Sequence, residues 1–198
     1  DVCSSDLEGS ITINNYELKD IQKKHLREHV GLVLQEPFLF SKTIASNLKI
    51  VNPDITEEEM FNSIKIASLD QTINDLKDGL NTYVGERGVS LSGGQKQRIS
   101  IARTLVTKAP VLIFDDSLSA VDTETDIKIR QALKQRAKDK TTIIVTHRVS
   151  TAKDADHIII LENGKVSEFG THQELVNKPG LYQRIYEIQN RIVWGDLC

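Results

Sequence analysis

Leu91-Ser92-Gly93-Gly94-Gln95, continued by Lys96-Gln97-Arg98, is a loop that delivers the N-terminus of a helix. A serine followed three residues later by glutamine can form a capping box. The serine hydroxyl takes an amide of the first turn, and the glutamine reaches back to the serine's own amide. The two glycines between them put no side chain over the first-turn amides, so an anion can approach those amides closely. A terminal phosphate is such an anion. The plain alternative is an ordinary capped helix after a flexible loop, since capping boxes are common. Against it, this five-residue string arises by chance in roughly one chain per several thousand at average composition. The helix that Ser92 opens runs to about Thr107, with Ile99, Ala102, Leu105 and Val106 on one side.

Moving downstream, Val111-Leu112-Ile113-Phe114 is a short apolar run ending in Asp115-Asp116, and Asp115 lies 20 residues beyond Gln95. Carboxylates at such a strand end sit at the C-terminal edge of a parallel sheet, where α/β folds bind ligands. Asp115 is placed to hold Mg²⁺ through water, as hard oxygen ligands do, and Asp116 to face an attacking water. Taken alone, the segment describes a solvated strand end equally well. Residues 123–138 read as a helix. Residues 141–145 are a β-branched run, followed by Thr146-His147-Arg148. Residues 157–161 and 165–168 flank Glu162-Asn163-Gly164, and Asn-Gly is a strong hairpin signal. Helical stretches at about 172–177 and 181–191 follow, and residues 192–198 form a tail with no assigned role.

Upstream, residues 10–13 read as a strand with a turn at Asn14-Asn15. Residues 30–34 form a second strand, ending at Gln35-Glu36-Pro37, where Pro37 bars simple continuation. From 43 to about 76 the pattern is helical, with Thr56 and Glu57, Glu58 and Glu59 marking an N-cap and an acidic first turn. Residues 78–90 are a Gly-rich loop. Strands alternating with helices in the second half predict a parallel α/β core, with the helical middle as a separate lobe.

The composition narrows the field. At 198 residues the chain can bury a core without staples, and 39% hydrophobic with 27% charged residues is an ordinary soluble balance. A net charge of −3 offers no overall basic field for nucleic acid. No apolar run approaches the roughly 18 residues of a membrane span, so a membrane connection is expected through a partner or another segment. Cys3 and Cys198 make neither a metal-ligand spacing nor a disulfide framework and read as two free thiols. Residues 1–7 (DVCSSDL) lack a starting Met, an apolar signal core and any period. They resemble a translated sequencing-adapter remnant and are set aside from the fold.

Leu91 to Gln95 is identical to the signature motif of ABC ATPases, and from Glu8 to about Arg191 the chain resembles the nucleotide-binding domain of an ABC transporter. The resemblance implies a P-loop NTPase-like fold, with an α/β core at about 8–40 and 108–170, a helical subdomain at about 41–107 and C-terminal helices at about 171–191. Val111 to Asp116 looks like the Walker B motif. Gln35 matches the Q-loop glutamine that senses Mg²⁺ and the coupling surface. His147 sits where the switch histidine contacts the terminal phosphate. Ser119-Ala120-Val121-Asp122 resembles the D-loop, which runs across the dimer interface. The implied catalytic set is therefore Asp116, His147 and Gln35. Leu91, Ser92, Gly93, Gly94, Gln95 and Asp122 are the nucleotide-contacting set, and Asp115 and Gln35 the Mg²⁺ set. Thr82-Tyr83-Val84-Gly85-Glu86-Arg87-Gly88 looks like the exporter x-loop. Phe38-Leu39-Phe40-Ser41-Lys42-Thr43-Ile44 and Gly170-Thr171-His172 are also exporter-like. The partners so implied are a second nucleotide-binding domain, paired head to tail, and the coupling helices of a transmembrane domain at the cytoplasmic face. Nucleic acid is not among them.

Two departures from the family pattern carry expectations. No Walker A motif is present: the only Gly-x₄-Gly spacing, Gly88 to Gly93, is followed by Gly94 rather than lysine. The family's P-loop lies upstream of the Q-loop, so the chain reads as a domain without its first strands and P-loop. By itself it is expected to bind ATP poorly and hydrolyse it hardly at all. The second departure is Asp116, where the family usually has glutamate. A base one methylene short is misplaced from its water, and about 1 Å can cost on the order of 10²-fold. An intact signature beside a shortened base resembles the degenerate-site half of a heterodimeric multidrug exporter, with a slowed homodimer as the alternative. Two competing readings stand beside the exporter: a soluble ABC ATPase acting on nucleic acid or the ribosome, and a truncated, non-catalytic interaction module.

Overall fold

The computed structural model describes residues 8–85, 89–135 and 140–195, with side chains described as far as Asn190. The readings of 1–7, of 86–88 in the x-loop, of the helix end at 136–138 and of the Cys3 and Cys198 thiols lie outside the described residues.

A small hairpin opens the chain. Strands β1 (Thr12–Ile13) and β2 (Tyr16–Glu17) pair around Asn14 and Asn15. Both asparagines have positive φ, 49° and 66°, the conformation a two-residue hairpin turn demands and asparagine tolerates. Helix α1 (Lys23–His29) then leads into β3 (Val30–Val33). The stretch read as one helical run from 43 to 76 is three helices: α2 (Ile44–Lys49), α3 (Glu57–Ile66) and α4 (Asp70–Asp75). Pro53 interrupts the first junction, since it cannot donate a helical hydrogen bond. Ser68, at φ 52°, turns the second. The expected N-cap at Thr56 forms as a full capping box, with Thr56 capping Glu59 and Glu59 returning to the Thr56 amide.

Helix α5 (Gly93–Val106) is followed by β4 (Val111–Asp115), α6 (Thr123–Gln135), β5 (Thr141–Val145) and the short α7 (Val149–Ala152). The hairpin of β6 (Ile158–Glu162) and β7 (Lys165–Gly170) turns at Asn163 and Gly164, both at positive φ. Helices α8 (His172–Val176) and α9 (Leu181–Gly195) end the described chain. The last helix runs past residue 191, so 192–195 are helical rather than a separate tail. No helix among the described residues is long and apolar enough to cross a membrane.

The sheet that matters for function is three-stranded and parallel, in the order β3-β4-β5. Its register pairs Val33 with Phe114 and Phe114 with Ile144, then Asp115 with Val145. Side chains alternate across the sheet. Val33, Leu112 and Phe114 are therefore buried in one cluster with Ile101 and Leu105 of α5, and with Ile44, Leu48 and Ile64 of the helical region. Gly31 permits the closest approach: a Cβ there would lie 2.9 Å from both Leu112 Cδ2 and Thr104 Cγ2. Leu32, Leu34, Ile143 and Val145 lie on the opposite face, and each is about half exposed. A second cluster joins Val149, Ile158, Leu175 and Tyr182. There the buried Glu168 carboxylate accepts the Leu181 and Tyr182 amides and so caps α9.

Candidate functional site

The parallel register decides which side chains meet. Gln35 lies two residues beyond β3, Asp115 ends β4, Asp116 follows it, and His147 lies two residues beyond β5. Adjacent strands run about 4.8 Å apart, so four of the candidate residues share the carboxyl edge of one sheet. Gln35 and Asp115 are exposed there and make no side-chain hydrogen bond or ion pair among the described residues. Those free hard-oxygen groups suit a magnesium ion with several waters.

Asp116 is held more tightly. Its backbone has φ 44°, a left-handed conformation that aspartate enters more readily than most residues. Its amide donates to Val145 O at 3.0 Å, which ties the end of β4 to β5. Its side-chain Oδ1 lies 3.2 Å from His147 Nδ1. That is ion-pair range but off the line of a hydrogen bond, so this buried oxygen has no aligned donor.

Four further hydrogen bonds fix the loop around His147. Arg148 donates to the Ser119 carbonyl at 2.9 Å, and the Ser119 hydroxyl donates to the Asp116 carbonyl at 2.6 Å. The turn at 116–119 and the loop at 146–148 are thereby braced against each other. From the far end of the chain, Gln189 on α9 donates to the His147 carbonyl at 2.9 Å and accepts the Val149 amide at 2.8 Å.

The second group surrounds the start of α5. Gln95 N donates to the Ser92 hydroxyl at 3.2 Å, and Ser92 N to Gln95 Oε1 at 2.9 Å, so the expected capping box forms. Leu91 is buried and anchors the loop. Among the described residues, no hydrogen bond engages the Gly93 or Gly94 amides. A Cβ on Gly93 would meet nothing within 4 Å, whereas one on Gly94 would lie 3.1 Å from Ala120 O. The first turn thus leans on the 119–122 segment and presents two free amides outward. Asp122 itself caps α6, accepting the Thr125 amide at 2.9 Å. That bond, then the Thr125 side chain and the nearby charge of Arg98, hold its carboxyl below the usual aspartate range.

Two of the three exporter-like stretches, 38–44 and 82–85, also come together. Val84 N donates to Lys42 O and Ile44 N to Thr82 O, and the Tyr83 hydroxyl donates to Ser41 O. Gly85, at φ 100°, packs so closely on Ser41 that a Cβ would lie 2.9 Å from its Cα. Exposed Phe38 and Phe40 meet edge-on, 4.9 Å between centroids.

Sequence reasoning did not single out three positioning residues. Buried Asn47 brackets Phe40, accepting its amide at 2.9 Å and donating to its carbonyl at 3.0 Å. Gln97, fully buried on α5, donates to the Leu34 carbonyl at 3.1 Å, immediately before Gln35. Its place on the apolar side of the helix, four residues before Ile101, was the available signal. For Gln189 no such signal exists, because its partners are 40 and 42 residues away.

A family model described as ABC transporter matches residues 4–119. The uncharacterized ABC transporter ATP-binding protein YknU of Bacillus subtilis (strain 168) is 47% identical over 185 residues, 93% of this chain and 32% of that protein. ABC transporter B family member 4 of Dictyostelium discoideum is 44% identical over 181 residues, 91% of this chain and 24% of that protein. Among solved structures, a bacterial Atm1-family ABC exporter with ATP bound superposes with a TM-score of 0.86 at 38% identity. That match covers 92% of this chain and 32% of the exporter chain. The chain therefore spans a third or less of the length of these relatives.

Proposed function

This chain belongs to the ABC transporter family, and from that premise we propose that it serves as the ATP-binding and ATP-hydrolysing domain of an exporter, working in a head-to-tail pair. One observation carries the reading: Gln35, Asp115, Asp116 and His147 gather at one sheet edge, the free Gly93 and Gly94 amides lie on the first turn of α5, and among the described residues no hydrogen bond or ion pair joins the two groups. Pairing two such domains head to tail would set the edge of one against the α5 turn of the other.

In this reading Ser92, Gly93 and Gly94 clamp the terminal phosphate of an ATP held mainly by the partner. Asp116 orients the attacking water through its carboxylate, and His147, steadied by Gln189 and Arg148, lies on the phosphate side of that carboxylate. Asp115 and Gln35 would hold Mg²⁺, which when bound with ATP supplies positive charge to the phosphate oxygens. Because Asp116 is shorter than glutamate, the site at this edge turns over slowly, and the pair is a heterodimer with one degenerate and one competent site. Phe38, Phe40 and Tyr83 form the surface that receives the coupling helices of a transmembrane domain at the cytoplasmic face. Without a P-loop in these residues, the chain alone binds ATP weakly.

The test uses the transporter that carries this domain, reconstituted in vesicles. Ser92→Arg should lower ATP turnover tenfold or more, and Asp116→Glu should raise it modestly. Unchanged turnover in Ser92→Arg means that the signature completes no site. Unchanged single-site turnover in Asp116→Glu means that the shortened carboxylate is not the defect.

A further inference from the structure

Helix α1 carries His25, Glu28 and His29 on its surface, and one ligand atom of each lies within 4.8 Å of the others. Positions three and four apart share a helix face, which explains the grouping. The two imidazoles stack, with centroids 4.0 Å apart and planes 26° from parallel. One of them is also oriented by the backbone: His29 Nδ1 lies 2.8 Å from the His25 carbonyl oxygen. A carbonyl only accepts, so Nδ1 carries the proton and Nε2 keeps a bare lone pair. Metal-binding histidines use the same division of labour, with one nitrogen donating to a fixed acceptor and the other ligating. All three side chains are exposed, and the ATP chemistry uses none of them.

We propose that His25, Glu28 and His29 form a surface site for a divalent transition ion of borderline softness: zinc, nickel or copper. Two imidazole nitrogens and one carboxylate oxygen suit these ions, whereas Mg²⁺ and Ca²⁺ take oxygen sets. Zinc bonds of about 2.0–2.1 Å to nitrogen in tetrahedral geometry ask for ligand atoms about 3.3 Å apart. Rotation of exposed side chains closes the remaining gap. Three protein ligands leave a position for water. Chelation across one turn also stabilises a seven-residue helix, a length that is marginal alone. This helix feeds directly into β3, the strand that ends beside Gln35.

The test is a Zn²⁺ titration of the chain against a chromophoric chelator, with Cys3→Ser and Cys198→Ser removing the competing thiols. Electron paramagnetic resonance with Cu²⁺ alone reads the ligand set. One ion per chain is expected, with hyperfine coupling from two nitrogens. His25→Gln and His29→Gln should each weaken binding tenfold or more, and Glu28→Gln several-fold, while His157→Gln should change nothing. Far-UV circular dichroism verifies that each variant is folded, which substitution of exposed side chains leaves intact. Absence of uptake up to millimolar Zn²⁺ overturns the proposal. So does uptake that is indifferent to both His25→Gln and His29→Gln.

Discussion

The carbonyl oxygen of His147 accepts a hydrogen bond at 2.9 Å from Gln189, a residue 42 positions later on the final helix. The same side chain accepts the Val149 amide, so one glutamine clamps both sides of the turn that carries the imidazole. Gln189→Ala should cost about 1–2 kcal/mol, the loss of one partly buried and one exposed hydrogen bond. Hydrogen exchange at Val149 should quicken more than exchange in β5. Uniform acceleration throughout the chain would mean that the clamp is not local.

Gly93 and Gly94 should respond differently to alanine. At Gly93 a methyl group meets only open space, and alanine is the better helix former by up to about 1 kcal/mol. Gly93→Ala should therefore melt at or above the parent temperature while weakening ATP-dependent pairing with a second domain. If pairing survives unchanged, the first-turn amides are not where the phosphate sits.

Gly31→Ala should destabilise the chain by about 1–3 kcal/mol, because its Cβ would press on Leu112 and Thr104. Leu112→Ala removes one of those obstacles. The double variant should then be less unstable than the sum of the singles, a non-additivity that urea denaturation can read.

Acid sensitivity follows from three carboxylates. Glu59 is held below its usual range by Lys108 and then the Thr56 amide, Asp122 by the Thr125 amide, and Glu174 by the Thr171 amide. Each favours the ionised form in the folded chain. The stabilisation is therefore present above the unfolded value of about 4 and is lost as pH falls through the lower folded values. Urea midpoints should drop as pH falls below about 4, the unfolded carboxylate value. The combined Glu59→Gln, Asp122→Asn and Glu174→Gln variant should flatten that drop.

Local chemistry was legible where a few adjacent residues settle the structure. Ser92 and Gln95 announce their box, Asn163-Gly164 its turn, and Val111 to Asp115 a strand ending in acid. Helix α1 was not legible, since Leu26 is its single aliphatic residue and no apolar period marks it. The break at Ser68 was hidden for a related reason: a serine at positive φ is imposed by tertiary packing. The brace from Arg148 to Ser119 and the Gln97 bond to Leu34 span 29 and 63 residues. Such pairs exist only once the sheet has set its order, so local pattern carries no trace of them. The direct contact of Asp116 with His147 was legible only as two neighbouring strand ends, because it depends on β4 and β5 being adjacent and in this register.

The bond from Gln97 to the Leu34 carbonyl makes α5 and the end of β3 one lever. The outward turn at Ser92 and the side chain of Gln35 sit at its two tips. In the proposed head-to-tail pair those tips would belong to different nucleotides, so gripping one ATP would push on the seat of the other. Reciprocity of coupling then follows from thermodynamic linkage. Whatever free energy one ATP lent to the binding of its neighbour, the neighbour would return in equal measure through the same buried amide.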